Sequence, residues 1–358
     1  MKDRMLTMLK KLGSSIRWMF GKIPFAGMKK GLSEKGNRKW VLVAVGLIFL
    51  MVFSFSWYIS REPAHLDVRQ ITNRMVGERK VTGTVTTATL ITTVQTLLDK
   101  PGGYLSNDIA PPMLLLDNMP NWEYGVVVQV RDLARSMRND MSRSRSQSVE
   151  NPHLTRAEPL LQYANDSWAI PSTEGEYRKG VAALQKYLDG LSQQNNTDTQ
   201  FYARADNLRD WLAVVEKRLG SYSQRLGASV GQARSNTDLA GDNSASQSTN
   251  TSQIVNVKTP WMKLDDVFYE ARGGTWALLN FLRAIEIDFE PVFADKNAKA
   301  LVSQIIRELE GTQRSMWSPV ILNGNGFGIF ANHSLVMASY ISRANAAVID
   351  LRELLSQG

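Results

Sequence analysis

The sequence predicts an all-α protein with one N-terminal transmembrane helix, followed by a multi-helix bundle with at most a small β-hairpin. Two observations support this fold class. Residues 40–60 contain no charged side chain, and apolar residues recur at steps of three and four over much of the remaining chain. Segments with the residue preferences of β-strands are short and few.

The segment Trp40–Ser60 has the length and composition of a membrane span. About 20 helical residues cross a hydrocarbon core of about 30 Å. Trp40, Trp57 and Tyr58 lie near its two ends, where aromatic side chains favour the membrane interface. The alternatives are a core helix of a soluble protein and a cleaved signal peptide, but the run is too long and too uniformly apolar to favour either.

The distribution of charge predicts the orientation of this helix. Residues 1–39 contain eleven Lys and Arg residues against two acidic residues, a net charge of +9, whereas the whole chain carries +8. Positively charged flanks stay in the cytoplasm, so we expect a basic cytoplasmic tail and a large domain on the outer side of the membrane. That domain is nearly neutral, which argues against binding to nucleic acid.

Within the tail, apolar residues from Met5 to Met19 recur at helical spacing. An amphipathic helix lying on the inner leaflet would produce this pattern, and a disordered basic stop signal is an equally good interpretation. The tail is too short to contain a kinase or cyclase domain. The chain also lacks cysteine, which removes disulfides and thiolate metal sites.

Apolar stripes predict the helices of the far-side domain. The helices are marked by the stripes at residues 90–97, 126–137, 177–191, 201–226, 264–289, 302–309 and 337–355. The third and fourth are joined by a short connection, which is typical of an antiparallel helical hairpin. Gly273 and Gly274 predict a kink or a close helix crossing, and Ser334 is a suitable N-cap for the last helix.

Three segments depart from helical spacing. Lys80–Thr87 is rich in Val and Thr and predicts a short strand. Val320–Leu322 and Phe327–Phe330 flank two Asn-Gly dipeptides, a pattern typical of a small β-hairpin.

The segment 235–253 is rich in Ser and Asn and has one large apolar residue, so it predicts a flexible loop. This loop divides the far-side domain into a helical region at 61–234 and a second helical region at 254–358 that we expect to pack on the first. The basic tail, residues 1–39, and the transmembrane helix, residues 40–60, complete the predicted organisation.

The segment Lys100–Asp132 is the strongest candidate for a functional surface. Its prolines and glycines disfavour a regular element over its first half, yet it contains Tyr104, Trp122 and Tyr124. A loop with this much apolar surface must pack on the bundle, on the membrane or on a partner. We treat these three aromatic residues as candidate partner-binding residues.

A basic helix face follows this segment. Arg131, Arg135 and Arg138 recur at helical spacing and are candidates for contact with an acidic partner or with lipid phosphates. A solvated face without a partner is the more common reason for such a pattern.

Asp108, Asp117 and Glu123 provide the carboxylates that hydrolysis of a glycan would require. Capping of turns and helices is the more common role of acidic residues in such a segment. The three histidines are not at metal-ligand spacing, so we predict no metal site, and no motif indicates a cofactor.

The motifs PGGYLSNDI at residues 101–109, DNMPNWEYG at 117–125 and the dipeptide Arg131-Asp132 resemble those of a family of uncharacterised proteobacterial inner-membrane proteins, domain of unknown function 2333. The resemblance extends over most of the chain. It implies a Gram-negative host, with the domain in the periplasm, and it implies no established activity.

These observations favour a structural or interaction component of a cell-envelope assembly, bound to the lipid bilayer and to an envelope protein or a second copy of itself. An enzyme that acts on a periplasmic glycan through the carboxylates of residues 100–132 is one alternative. A periplasmic ligand sensor that works through a partner is the other, although the tail offers no output domain.

Overall fold

The computed structural model describes residues 35–109, 116–144, 149–193, 199–235, 254–318, 320–325 and 328–357. The chain divides into two compact units, Met1–Tyr58 and Ile59–Gly358. The amphipathic helix considered for residues 5–19 lies outside the described residues.

The described part of the first unit is helical. Helix α1, Lys35–Ile59, continues one residue into the second unit. It contains a 20-residue stretch, Trp40–Ile59, with a mean hydropathy of 2.3, which is long and apolar enough to cross a membrane. Trp40, Trp57 and Tyr58 are all exposed.

The second unit is a bundle of helices with one small sheet in its described part. The helices are α2 (Val68–Val76), α3 (Thr84–Asp99), α4 (Asn118–Ser136), α5 (Pro152–Leu161), α6 (Thr173–Leu191), α7 (Ala205–Gly227), α8 (Leu264–Asp288), α9 (Glu290–Asp295), α10 (Lys299–Thr312) and α11 (His333–Ser356). Eleven helices over the described residues confirm the all-α prediction.

Helices α4 and α8 form the centre of this bundle and cross at very short distance. A Cβ atom on Gly125 would lie 2.0 Å from the carbonyl oxygen of Glu270, and one on Gly273 would lie 1.9 Å from that of Trp122. The rings of Trp122 and Trp276 pack beside the crossing with their centroids 5.1 Å apart. The close crossing predicted at Gly273 is therefore confirmed, and α4 supplies the matching glycine.

The strand predicted at Lys80–Thr87 is wrong, because α3 begins at Thr84. The first turn of α3 is stabilised by Asp288, whose carboxylate accepts hydrogen bonds of 2.7 Å from the backbone N–H and the hydroxyl of Thr86. Since the N-cap residue is Gly83, which has no side chain, Asp288 satisfies a free helical N–H group from a distant helix.

The described residues form a two-stranded antiparallel sheet, but this sheet does not lie at the position where a hairpin was predicted. Strands β1 (Gln232–Ser235) and β2 (Ile254–Val257) flank the Ser-rich segment, so Ser235 belongs to a strand, and residues 236–253 lie outside the described part. The predicted hairpin near residue 325 shows only an isolated bridge between Asn323 and Asn332 in its described residues.

The N-cap of α11 also differs from the prediction. The side chain of Asn332 accepts a hydrogen bond of 2.8 Å from the backbone N–H of Leu335, whereas Ser334 lies inside the helix. Asn332 also donates to the side chain of Asn323, so the cap ties the start of α11 to the preceding loop.

Candidate functional site

Glu123 organises the loop at residues 100–109 from within the core. Its carboxylate lies 2.5 Å from the ammonium of Lys100, and the side chains of both residues are almost fully buried. The same carboxylate accepts hydrogen bonds from the backbone N–H groups of Leu105 and Ser106, at 2.9 and 2.8 Å, and from the Ser106 hydroxyl at 2.6 Å. One acidic side chain therefore fixes both the start and the middle of this loop.

Burial raises the pKa of Glu123, while the nearby Lys100 and the hydrogen bonds from Ser106 and Leu105 act to lower it. A carboxylate surrounded in this way is a structural group, since a substrate cannot reach it without displacing the loop. Asp117 is exposed and Asp108 is partly exposed, so the structure does not bring the three acidic residues together at one open cleft.

In the described part of the chain, no group of three or more His, Asp and Glu side chains could hold a metal ion. His333 has an internal partner: its Nδ1 atom accepts a hydrogen bond of 3.2 Å from the backbone N–H of Leu322.

Of the three candidate aromatic residues of this segment, two are buried and one is exposed. Trp122 has no exposed surface, and Tyr104 is 3% exposed with its hydroxyl donating to the backbone oxygen of Asn165 at 3.0 Å. Core side chains offer no area to a partner, so the structure corrects the expectation for Trp122 and Tyr104. Tyr124 is 38% exposed and remains a candidate.

The predicted basic face is largely engaged in internal contacts. Arg131 donates to two backbone carbonyl groups at and just beyond the C-terminal end of α5. Arg138 forms ion pairs with Glu150 and Glu158 at 2.8 and 3.0 Å. Arg135, whose side chain is 59% exposed and lies 3.7 Å from Glu158, has the guanidinium most available to a partner among the three.

Arg272 forms a second internal centre, and its partner Glu62 is close in sequence to the membrane-span candidate. Its guanidinium donates to both carboxylate oxygens of Glu62, at 2.7 and 2.8 Å. It also donates to the backbone oxygens of Thr312 and Arg314 at 3.0 Å, and to that of Gln313 at 3.3 Å. These carbonyl groups lie at and just beyond the C-terminal end of α10. Unpaired acceptors and the helix dipole favour a positive charge there. Arg272 thus joins the end of α10 to a residue only three positions after Ile59.

The segment after Glu62 then follows α8 away from Arg272. The backbone N–H of Leu66 donates to the side chain of Asn280 at 3.1 Å, and Val68 packs in a small cluster with Ala284. Since a helix rises 1.5 Å per residue, Ala284 lies about 18 Å along α8 from Arg272. The Arg272 end of α8 is therefore the end nearest, along the chain, to the apolar helix.

The segments before α8 and between α10 and α11 expose six large apolar side chains, and together we call them the aromatic surface. Its members are Trp261, Met262, Trp317, Val320, Ile329 and Phe330, which are 62–99% exposed. Val320 lines one depression with Trp261 and Met262. Trp317 and Arg272 line a neighbouring groove of about 590 Å³.

Sequence reasoning missed the aromatic surface because the two Asn-Gly dipeptides favoured a hairpin. The available signal was the density of Trp, Ile and Phe in a segment from Trp317 to Phe330 whose Pro and Gly residues disfavour helix. Apolar residues in such a segment have few neighbours to pack against.

The comparison with protein families agrees with the motif resemblance. Residues 32–358 match the family model DUF2333, which is described as an uncharacterized protein conserved in bacteria. No curated protein and no solved structure shows a significant match. Within the matched region, Glu123 of the NWEYG motif holds the backbone of Leu105 and Ser106 in the PGGYLSNDI motif. The chain therefore belongs to the DUF2333 family of proteins conserved in bacteria.

Proposed function

We propose that this protein is a single-pass inner-membrane protein whose periplasmic bundle is a structural or interaction component of a cell-envelope assembly. The observation that carries the proposal is the bonding of Arg272 to Glu62 and to the end of α10. It supports a bundle that is attached directly at the end of its membrane anchor.

The connection between the apolar helix and the bundle is short and internally bonded. Glu62 is held by Arg272, and Leu66 by Asn280, before α2 begins at Val68. Linkers that allow free movement are rich in Gly and Ser and lack such contacts. An ordered connection of this kind suits a platform for other proteins.

The exposed residues of α4 supply the candidate contact face for such a partner. Tyr124 and Arg135 are separated by eleven residues, close to three helical turns, and so lie on one side of α4. Both are exposed, and they retain the aromatic and Arg character enriched at protein interfaces. An envelope protein or a second copy of this chain would be the partner.

The two alternatives receive less support. The glycan-cleaving alternative depends on carboxylates that face an open cleft, and Glu123 is buried against Lys100. The sensor alternative predicts an enclosed pocket, whereas the groove beside Trp317 is lined by a side chain that is almost fully exposed.

Topology is tested by single cysteines, since the chain has none of its own. An Ala300→Cys variant of the full chain carries the thiol on an exposed residue of α10, and a Ser14→Cys variant carries it in the tail. We expect a membrane-impermeant maleimide to label Ala300→Cys in intact spheroplasts, and Ser14→Cys only after permeabilisation. The reverse pattern, or labelling of neither before permeabilisation, would overturn the periplasmic assignment.

The interaction role is tested by a photo-crosslinking amino acid in place of Tyr124 or Arg135 in living cells. We expect one discrete adduct at these positions and none at Ala300, which is also exposed. Absence of any adduct beyond that control at both positions would contradict a partner on α4.

A further inference from the structure

We propose that the aromatic surface binds phospholipids of the membrane leaflet that faces the bundle. This inference rests on the proposed membrane anchoring, and it adds a second attachment point between bundle and bilayer. The surface consists of the six exposed residues defined above, together with the groove behind Trp317.

The position of the surface along the chain supports a lipid partner. Glu62 lies three residues after Ile59, a separation of about 11 Å at most. Arg272 bonds Glu62 and the backbone oxygen of Arg314 with one guanidinium, so Arg314 is held beside the start of the bundle. Trp317 follows Arg314 by three residues, so the Cα atoms of these two residues lie within about 11 Å of each other. Arg272 and Trp317 also line one groove, so the surface begins beside the residue that binds Glu62.

The chemistry of the exposed side chains also fits a bilayer. Trp317 is 99% exposed and Ile329 is 98% exposed, which is unfavourable for isolated large apolar groups in water. Indole rings favour the membrane interface, where the ring meets hydrocarbon and the N–H meets water or headgroups. Trp261 and Met262 line a depression with Val320, so the segment before α8 lies next to residue 320 of the loop between α10 and α11.

The groove provides a second element of lipid recognition. Its lining includes Phe268, Met316 and Met337, which are apolar, and Arg314 at the rim. Arg314 is exposed and forms no ion pair among the described residues, although its guanidinium lies 5.8 Å from the ring centroid of Tyr340. A guanidinium beside an apolar groove matches the phosphate and the acyl chain of one phospholipid.

A second copy of the chain or an unrelated protein would also cover apolar area. The lipid is favoured because the surface belongs to the part of the bundle tied to Glu62, where the bilayer is available without any encounter between proteins. The test treats the other two occupants as outcomes that contradict the proposal.

The experiment uses the full chain in nanodiscs, with a nitroxide spin label on one introduced cysteine. Val320→Cys and Ile329→Cys place the label in the aromatic surface, and Ala300→Cys places it on α10 about 18 Å from Thr312. We expect several-fold lower collision with a water-soluble nickel complex, and higher collision with oxygen, at residues 320 and 329 than at residue 300.

Lipid composition tests the role of Arg314. In discs containing phosphatidylglycerol we expect the difference between residues 320 and 300 to exceed that in discs of phosphatidylcholine alone, and Arg314→Gln to remove this excess. A difference that is present but independent of headgroup charge and of Arg314 would overturn the headgroup part of the proposal.

The outcomes separate this inference from the proposed function. If residues 320 and 329 behave like residue 300 while Ala300→Cys is still labelled from the periplasm, the lipid surface is refuted and the anchor stands. Protection accompanied by spin–spin broadening between labels would show a second copy. Protection only in native membranes, and never in discs, would show a protein partner.

Discussion

The loops at residues 100–109 and 313–332 have similar compositions and opposite structures. Both contain Pro, Gly, Asn and large apolar residues. In the first loop Tyr104 and Leu105 are 2–3% exposed, whereas in the second Trp317 and Ile329 are 98–99% exposed. Composition alone therefore does not tell a loop that completes the core from one that presents a surface.

The difference lies in what binds the backbone of each loop. Glu123 accepts hydrogen bonds from two consecutive backbone N–H groups of the first loop and pairs with Lys100, so the apolar side chains turn into the bundle. The second loop is bonded at its two ends, by Arg272 to Arg314 and by Asn332 to Asn323. Met316 and Ile321 of this loop pack against the core, whereas Trp317 and Ile329 are left to contact something outside the bundle.

The first prediction removes the group that holds the first loop. We expect Glu123→Ala to lower the free energy of unfolding by about 3–5 kcal/mol, because it leaves the buried Lys100 charge without its partner and the N–H groups of Leu105 and Ser106 without acceptors. The measurement is chemical denaturation of the full chain in detergent, followed by circular dichroism.

Asp117→Ala is the matched control, since Asp117 is an exposed acid only six positions earlier whose side chain makes no capping hydrogen bond. We expect it to change the free energy of unfolding by less than about 0.5 kcal/mol. Equal effects of the two substitutions would mean that Glu123 does not hold the loop, and the comparison of the two loops would lose its basis.

The second prediction concerns the other buried acid, Asp288. Asp288→Ala leaves the backbone N–H and the hydroxyl of Thr86 without their acceptor, and we expect a loss of about 2–3 kcal/mol in the free energy of unfolding. The exposed Asp295, at the end of α9, provides the control variant Asp295→Ala. The same denaturation assay applies, and a loss no larger than that of the control would show that α3 does not depend on this cap.

The third prediction is a pH dependence of the free energy of unfolding. The effect is smaller than that of Asp288→Ala, because the side chain of Asp288 is neutralised and not removed. Burial raises the pKa of Asp288 above its ordinary value of 3.8. The folded state then keeps this proton to higher pH than the unfolded state, so ionisation lowers stability as pH rises from 3.8 through the raised pKa.

Asp288→Asn has no such ionisation. We therefore expect wild type to gain stability relative to Asp288→Asn as pH is lowered from about 7 toward 4, measured as the difference between their urea midpoints. A constant difference over this range, or one that shrinks at low pH, would contradict the raised pKa.

Local sequence patterns predicted most of the helices and missed the interactions between distant residues. The stripe from Leu264 to Phe289 predicts α8, and the helix ends as expected before Pro291. The Thr-rich start of α3 was predicted as a strand, because β-branched residues favour strands locally. The helix is stabilised by Asp288, 202 residues away, and nothing local to residues 80–87 indicates this contact.

The candidate site shows the same limit. The sequence indicated Tyr124 and Arg135 as candidate partner-binding residues, but it could not separate them from Trp122 and Tyr104, since burial depends on which helix packs over each residue. Gly125 and Gly273 allow α4 and α8 to approach closely, and this approach is what buries Trp122. The aromatic surface was missed for the complementary reason, since no helix among the described residues of the bundle packs over Trp317 or Ile329.

The last prediction has the smallest expected effect on stability and the most direct bearing on the comparison. Trp317→Ser and Ile329→Ser replace side chains that have almost no contact with the bundle, so we expect the free energy of unfolding in detergent to change by less than about 0.5 kcal/mol. A matched Leu105→Ser in the first loop buries a hydroxyl in place of a core side chain, and we expect a loss of about 2–4 kcal/mol. Large losses for Trp317→Ser and Ile329→Ser in detergent would mean that the second loop also completes the core. Small losses would mean that these two side chains do not contribute to the folding of the bundle. They would then be available to bind the bilayer.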